Sequence, residues 1–398
     1  MGLHETPSGE RLHIGFYGMR NAGKSSLVNA VTGQELSVVS PVKGTTTDPV
    51  KKAMELLPLG PVVILDTPGL DDEDDLGALR VKKAREALHK TDIAVLVVDA
   101  SIGIGELDFR LQKELEEKKI PYITVFNKAD LAEKREEDRL YTSAVTGEGI
   151  TALKEKLGEF AKSVKKEKPI VADLLTEGDL VVLVTPIDEA APKGRLILPQ
   201  QMVLREVLDV HGAAVVCQTE ELAATLAALG KKPRMVITDS QVFGKVAKVV
   251  PQDVPLTSFS ILMARYKGDL GTLVQGAAAL KKLRDGDKVL ISEGCTHHRQ
   301  CNDIGTVKMP AWIETFSGAK PEYSFTSGGQ FPEDLSEYRV VVHCGGCTLN
   351  EAEMKSRIAR AVGAEVPMVN YGIAIAQIHG ILARSLELFP NVLALLNG

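Results

Sequence analysis

Gly18-Met19-Arg20-Asn21-Ala22-Gly23-Lys24-Ser25 sets two glycines, a lysine and a hydroxyl at the GxxxxGKS spacing of a phosphate-binding loop. Glycines let the backbone curl until its N–H groups point inward at phosphate oxygens. A helix starting there adds the positive end of its dipole. Lys24 is placed to reach the β- and γ-phosphates and the Ser25 hydroxyl to ligate magnesium, with Asn21, Ala22, Gly23 and Ser26 completing the cradle. The elements that must position these groups are legible: His13 to Gly18 reads as a short apolar strand, and Lys24 to Val31 as the opening of a helix.

Four further motifs follow in order. Lys43-Gly44-Thr45-Thr46-Thr47-Asp48 is a polar, glycine-bearing loop, and by resemblance to switch GTPases Thr46 is the threonine that meets magnesium and the γ-phosphate. A strand over Pro61 to Leu65 ends in Asp66-Thr67-Pro68-Gly69, where Asp66 would hold magnesium through water and the Gly69 N–H would sense the γ-phosphate. Ala94 to Val98 and Tyr122 to Phe126 read as strands, the second running into Asn127-Lys128-Ala129-Asp130. Asp130 can accept from the ring N–H and exocyclic amine of guanine. Adenine lacks that donor pair and would leave the carboxylate unpaired, so the spacing selects GTP over ATP. The Lys128 stem would cover the base face, and the Ser143-Ala144 backbone would bind the guanine oxygen.

Leu70 stands where Ras-type enzymes carry a water-orienting glutamine, so hydrolysis needs another source of transition-state charge and should be slow. Asn21 resembles the asparagine of potassium-activated, tRNA-modifying GTPases, in which a potassium ion takes the place of an arginine finger; potassium stimulation is therefore expected. The run Asp71 to Asp75 reads as a solvated loop, fitting a switch that orders on the γ-phosphate.

At 398 residues, and about 150 residues per domain, two or three domains are expected. With 44% hydrophobic and 25% charged residues, each can build an ordinary core. A net charge of −6 argues against nonspecific nucleic-acid binding. With no bilayer-length apolar run and no visible export signal, a cytoplasmic location without membrane contact is expected. Met1-Gly2 with Thr6 fits only the loose myristoylation pattern.

A charged stretch, Lys165 to Pro169, reads as a linker after a helix over Ile150 to Lys168. Beyond it, strands at Leu180 to Thr185, Ala213 to Cys217 and Met235 to Thr238 alternate with helices at Val203 to His211 and Glu220 to Leu229. This alternation implies a mostly parallel sheet. Thr185 to Asp188 with Lys193, Gly194 and Arg195 could bind an anion but lacks phosphate-loop spacing, and Cys217 is expected to be a core residue. The middle third reads as a scaffold or subunit-contact domain.

Four of the five cysteines lie in the last third. Lys288 to Ser292 reads as a strand ending at Glu293-Gly294-Cys295-Thr296-His297-His298, and Arg339 to Val342 as another ending at His343-Cys344-Gly345-Gly346-Cys347. Helices are expected over Leu273 to Leu283 and Ile373 to Leu388, and a strand over Met368 to Tyr371. Two such strands side by side would bring Cys295, Cys344 and Cys347 together at the sheet's carboxyl end. A helix following Cys347 would lower the thiol pKa. An iron–sulfur cluster, a Cys₃His zinc site and a Cys344/Cys347 redox pair all remain open on these residues.

Together these features resemble the HydF family, maturation GTPases of (FeFe) hydrogenases, over essentially the whole chain. Cys295-Thr296-His297 with His343 to Cys347 is the most specific mark, and Gly178 to Gln200 and Asp303-Ile304-Gly305 also look family-like. The resemblance implies an α/β fold: an Era/TrmE-like P-loop GTPase domain (1–168), then two further α/β domains with mostly parallel sheets, one for dimerisation (169–270) and one for a 4Fe–4S cluster (271–398). It implies cluster ligation by Cys295, Cys344 and Cys347. The fourth position is exchangeable, with His297, His343, Asp303 and Cys301 as candidates. It further implies a scaffold and carrier that works with the radical-SAM maturases HydE and HydG and delivers a di-iron precursor, as cargo, to apo-hydrogenase. The alternative from another class is a ribosome- or tRNA-associated GTPase with a structural zinc domain; the charge of −6 and 5% aromatics weigh against it. A disulfide-exchange protein fused to a GTPase is a third reading.

Overall fold

Leu12–Tyr17 (β1) is buried at every position, as a strand covered on both faces must be. It leads into α1 (Lys24–Thr32), which ends at Gly33 in a left-handed cap whose N–H returns to Asn29 O. There follow β2 (Val50–Leu56), β3 (Gly60–Asp66), α2 (Asp75–Leu88), β4 (Ile93–Asp99), α3 (Glu106–Glu117), β5 (Tyr122–Asn127), β6 (Leu140–Tyr141) and α4 (Ile150–Val164). The sheet order is β2-β3-β1-β4-β5-β6, parallel except for β2, which runs antiparallel to β3. Alternation along the strands serves two cores. Ile14, Phe16, Ile64 and Val95 pack with Leu27, Val31, Leu153 and Leu157 of α1 and α4, whereas Tyr17 and Leu96 pack with Leu88, Leu111 and Leu115 of α2 and α3.

This is one of two compact units, Met1–Glu167 and Lys168–Gly398, of a computed structural model that describes residues 6–34, 50–69, 75–164, 168–187, 196–294 and 303–396. The second unit begins with β7 (Leu180–Val184), α5 (Leu198–Asp209), β8 (Ala213–Cys217), α6 (Leu222–Ala228), β9 (Met235–Thr238), α7 (Phe243–Val249) and β10 (Leu256–Ser258). It continues with α8 (Phe259–Lys267), α9 (Leu270–Gly276), β11 (Lys288–Glu293), α10 (Met309–Ser317), β12 (Glu322–Ser327), β13 (Val340–His343), α11 (Glu351–Gly363), β14 (Met368–Asn370) and α12 (Tyr371–Ile378). Its two parallel sheets, β10-β9-β7-β8 and β12-β11-β13-β14, share one core that includes Val181, Ile237, Ile261, Leu273, Ile291, Val341 and Ile373. The expected α/β class with mostly parallel sheets is the fold observed.

Three local expectations change. The apolar stretch from Ile373 does not run on as a single helix to Leu388: α12 stops at Ile378, and Gly380 (φ 69°) turns the chain before a short helix, Leu382–Ser385. The helix expected to begin near Leu273 starts at Leu270 and tightens after Gly276 into a 3₁₀ segment, Ala277–Lys282. Gly276 packs so tightly that a Cβ would sit 2.0 Å from Met368 O. Cys217 is not fully inside the core; it is half-buried on the edge strand β8, and burial pushes its thiol pKa up.

Candidate functional site

The first site forms at the carboxyl ends of β1, β3 and β5. Gly18 (φ 142°) and Gly23 (φ 85°) hold conformations that favour glycine, and the space is closed as well. A Cβ would fall 2.2 Å from Val97 O at the first and 2.3 Å from Asn127 Nδ2 at the second. Asn21 is also left-handed (φ 61°). The Lys24 ammonium donates to Gly18 O at 3.1 Å and Met19 O at 2.7 Å, inside the loop where phosphate oxygens would lie. Register Phe16↔Asp66 brings β3's last residue beside β1, and there Ser25 Oγ donates to Asp66 Oδ2 at 2.7 Å. The hydroxyl and carboxylate expected to serve magnesium thus converge, and the donor set fits a hard, oxygen-preferring cation. Thr67, a residue the motif reading passed over, locks this turn by donating to Phe16 O at 2.6 Å.

The base-reading segment is tied to the same loop. Asn127 Nδ2 donates to Ala22 O at 3.0 Å, and Ser143 Oγ donates to Asp130 Oδ1 at 2.5 Å, presetting the carboxylate. Lys128 (φ 61°) reaches Asp99 Oδ2 at 2.6 Å. Burial works against the Asp99 carboxylate, but Lys128 and the Ser101 hydroxyl and N–H outweigh it and hold its pKa below the usual range. Asp99 went unread in the sequence; its signal is an acid closing the apolar strand β4. The Ser143 N–H is spent on Glu148 O at 3.0 Å, which turns the expectation for the guanine oxygen onto Ala144. Ser26 lies in the first turn of α1, and Gly69 is half-buried after β3. Thr45, Thr46, Thr47, Leu70 and the acidic run through Asp74 lie outside the described residues, as do Asp188, Lys193, Gly194 and Arg195.

The second site sits where β11 and β13 end. The two strands are parallel neighbours in register Ser292↔His343, the adjacency expected from the sequence. Beyond the ladder, Cys344 N–H donates to Ser292 O at 2.9 Å. The Cys344 sulfur accepts N–H groups from Gly294 at 3.0 Å and Gly346 at 3.3 Å. Thr348 Oγ1 donates to Gly294 O at 3.0 Å. Gly346 (φ 63°) cannot carry a side chain, because a Cβ would meet Met354 Sδ at 2.5 Å. Both thiols therefore lie on a glycine loop pinned to the end of β11. Such a donor set, with N–H groups aimed at sulfur, fits a thiophilic metal or iron–sulfur group. Cys295, His297, His298 and Cys301 lie outside the described residues, and Asp303 caps the turn Ile304–Lys308 by accepting from Thr306 N and Oγ1.

One expectation is corrected here. A helix does follow the thiols, with Asn350 capping α11, yet the Cys347 thiol pKa is raised rather than lowered. Burial dominates, against an opposing pull from Lys267. Lys267, only 2% exposed, donates to Cys347 O at 3.1 Å and Leu349 O at 2.8 Å. His343 is fully buried: Arg357 Nη1 donates to its Nε2 at 2.9 Å, and its Nδ1 lies 2.7 Å from Cys344 O. Burial, then the Arg357 charge, pushes its pKa down to about 3. Glu293 is buried beside the loop and accepts from Tyr371 OH at 3.3 Å. Burial and the nearby Glu293 raise the Tyr371 pKa. Lys267, Arg357, Tyr371 and Glu353, whose Oε1 accepts from Arg357 Nη2 at 2.7 Å, were unreadable as site residues. Only Glu293 carried a signal, being an acid that closes an apolar strand two residues before Cys295.

Residues 271–388 match the family described as hydrogen maturase F tetramerization domain, residues 170–268 the hydrogen maturase F dimerization domain, and residues 13–128 the 50S ribosome-binding GTPase family. Among curated proteins, GTPase Der of Kosmotoga olearia is 32% identical over 182 residues, covering 40% of this chain and 41% of its own. The tRNA modification GTPase MnmE of Thiobacillus denitrificans is 34% identical over 152 residues (37% and 33%), and that of Legionella pneumophila strain Corby 40% over 152 residues (36% and 33%). The chain spans 33–41% of the length of these relatives. Among solved structures, Era of Aquifex aeolicus bound to GDP and aluminium fluoride is 18% identical, covers 55% of this chain and 98% of its own, and has a TM-score of 0.35.

Proposed function

The chain belongs to the hydrogen maturase F family, and on that premise we propose that it is a hydrogenase-maturation GTPase that binds a 4Fe–4S cluster and carries a di-iron precursor to apo-hydrogenase. The observation that carries the cluster reading is the Gly294–Cys344 contact: it ties the end of β11, one residue before Cys295, to the thiol loop after β13. Cys295, Cys344 and Cys347 are the proposed ligands, with the fourth position left to His297, Asp303 or Cys301; both ring nitrogens of His343, the other candidate from the sequence, are already engaged. HydE and HydG are the proposed maturase partners. The functional division is 1–168 for GTP, 169–270 for dimerisation and 271–398 for the cluster.

GTP binding and hydrolysis rest on Lys24, Ser25, Asp66, Asn127 and Asp130 around one loop; Thr46 and Gly69 would complete the γ-phosphate contacts, and Ser25, with Asp66 through water, would hold magnesium. Hydrolysis is proposed to be slow and potassium-stimulated through Asn21, which is left-handed (φ 61°) and exposed at the loop. A rate unchanged between potassium and sodium would remove that element. Self-association is supported by the two family descriptions and by β8, an edge strand that exposes Val216 (43%). Among the described residues no helix is long and apolar enough to cross a membrane.

The test is anaerobic purification, reconstitution with iron and sulfide, and EPR of the reduced protein beside a Cys344→Ser variant. A 4Fe–4S signal lost in the variant supports the reading. A colourless chain holding one zinc sinks it and favours the RNA-linked GTPase that the N-terminal relatives suggest. Nucleic acid co-purifying with the chain would point the same way.

A further inference from the structure

We propose that His343 is a positioning residue of the thiol loop and not a ligand of the group bound there: a buried Glu353–Arg357–His343 chain grips the Cys344 carbonyl and thereby sets the backbone that presents both thiols. The proposal rests on the cluster reading above for what the loop holds, but its geometry stands on its own.

Arg357 is fully buried, and its guanidinium has only donors. It donates to His343 Nε2 at 2.9 Å, so that nitrogen must be the acceptor and the ring proton sits on Nδ1, aimed at Cys344 O 2.7 Å away. Both ring nitrogens are thereby spent. To ligate a metal through Nε2, His343 would have to abandon a buried guanidinium; through Nδ1, it would have to lose its proton and release the loop. Arg357 is itself fixed. Its Nη2 donates to Glu353 Oε1 and Gly328 O, each at 2.7 Å, and its Cζ lies 5.1 Å from the centroid of the Phe331 ring. Glu353 sits one turn earlier on α11 and is 6% exposed, so the pair is desolvated and rigid. A buried arginine is costly to keep. Its return here is a fixed imidazole orientation, transmitted one residue along to the first thiol.

The amide that mimics the Nδ1 half of a histidine separates the readings. His343→Asn places an N–H close to the Nδ1 position and retains the grip on Cys344 O; His343→Ala removes it. In metal-free protein, amide exchange of the segment spanning residues 343–349 should rise about tenfold in His343→Ala, the effect of losing one hydrogen bond, and be largely restored in His343→Asn. After reconstitution, iron content should fall in His343→Ala and recover in His343→Asn. Any strong nitrogen coupling in the wild-type pulsed-EPR spectrum should persist in His343→Asn. The proposal is overturned if exchange is the same in all three proteins, or if His343→Asn erases a nitrogen coupling that the wild type shows. Should wild-type protein take up no cluster, the functional reading fails, while the exchange comparison still decides the positioning role.

Discussion

The N–H of Gly294 points at the sulfur of Cys344 from 3.0 Å, joining two strand ends that are 50 residues apart in the chain. That bond places the residue preceding Cys295 on the thiol loop, and only glycine fits there: a Cβ at position 294 would lie 2.7 Å from Leu349 Cγ. Gly294→Ala should therefore displace the end of β11 or the loop. The expected outcome is reduced iron uptake with GTP hydrolysis by the N-terminal unit intact. Iron assay and phosphate release measured on one preparation check it; a normal iron content would mean the contact is incidental.

Asp130 is held by the Ser143 hydroxyl at 2.5 Å and so meets a base in a preset orientation. Asp130→Asn replaces one acceptor by a donor, which opposes the guanine exocyclic amine but suits the oxygen that xanthine carries at that position. GTP affinity should drop by about 10⁴-fold, with XTP recovering most of it, because the loss is an unpaired polar contact in a built site. Competition with a fluorescent guanine nucleotide measures both. Equal weakening toward GTP and XTP would mean that Asp130 supports the loop and does not read the base.

What the sequence disclosed and what it hid divide along physical lines. β1, β3, β4 and β5 were legible because parallel strands buried on both faces read as unbroken apolar runs closed by polar motif residues. β12 was not: as an edge strand reading Glu-Tyr-Ser-Phe-Thr-Ser, it carries no such run. β10 is only three residues long. Thiols and glycines announced the second site, but Arg357 and Lys267 read as ordinary helix-surface cations. Nothing local in the chain reveals that one is fully buried against His343 or that the other is turned inward on carbonyls contributed 80 and 82 residues later.

The Glu353–Arg357 pair is closed at 2.7 Å with both side chains almost out of solvent. Arg357→Met leaves the Glu353 carboxylate and the His343 and Gly328 acceptors without their donor, and should destabilise the C-terminal unit by about 3–5 kcal/mol. Replacing both partners, Arg357→Met with Glu353→Leu, removes the stranded charge and should recover part of that loss. Urea unfolding of the metal-free protein, followed by a probe specific to that unit, gives both values. A single variant as stable as wild type would mean that the pair is solvated in solution.

Lys267 closes α8 with its ammonium under the thiol loop, donating to Cys347 O and Leu349 O, where its charge also pulls the Cys347 pKa down against burial. A cluster gains negative charge on reduction, and a nearby buried cation favours the more negative state. Lys267→Met keeps most of the packing volume and removes both the charge and the donors. The reconstituted variant should therefore have a more negative reduction potential than wild type. An EPR-monitored redox titration of both proteins measures the shift. If the variant binds a normal complement of iron and its potential is unchanged or more positive, Lys267 contributes structure to the loop and no field to the group it holds.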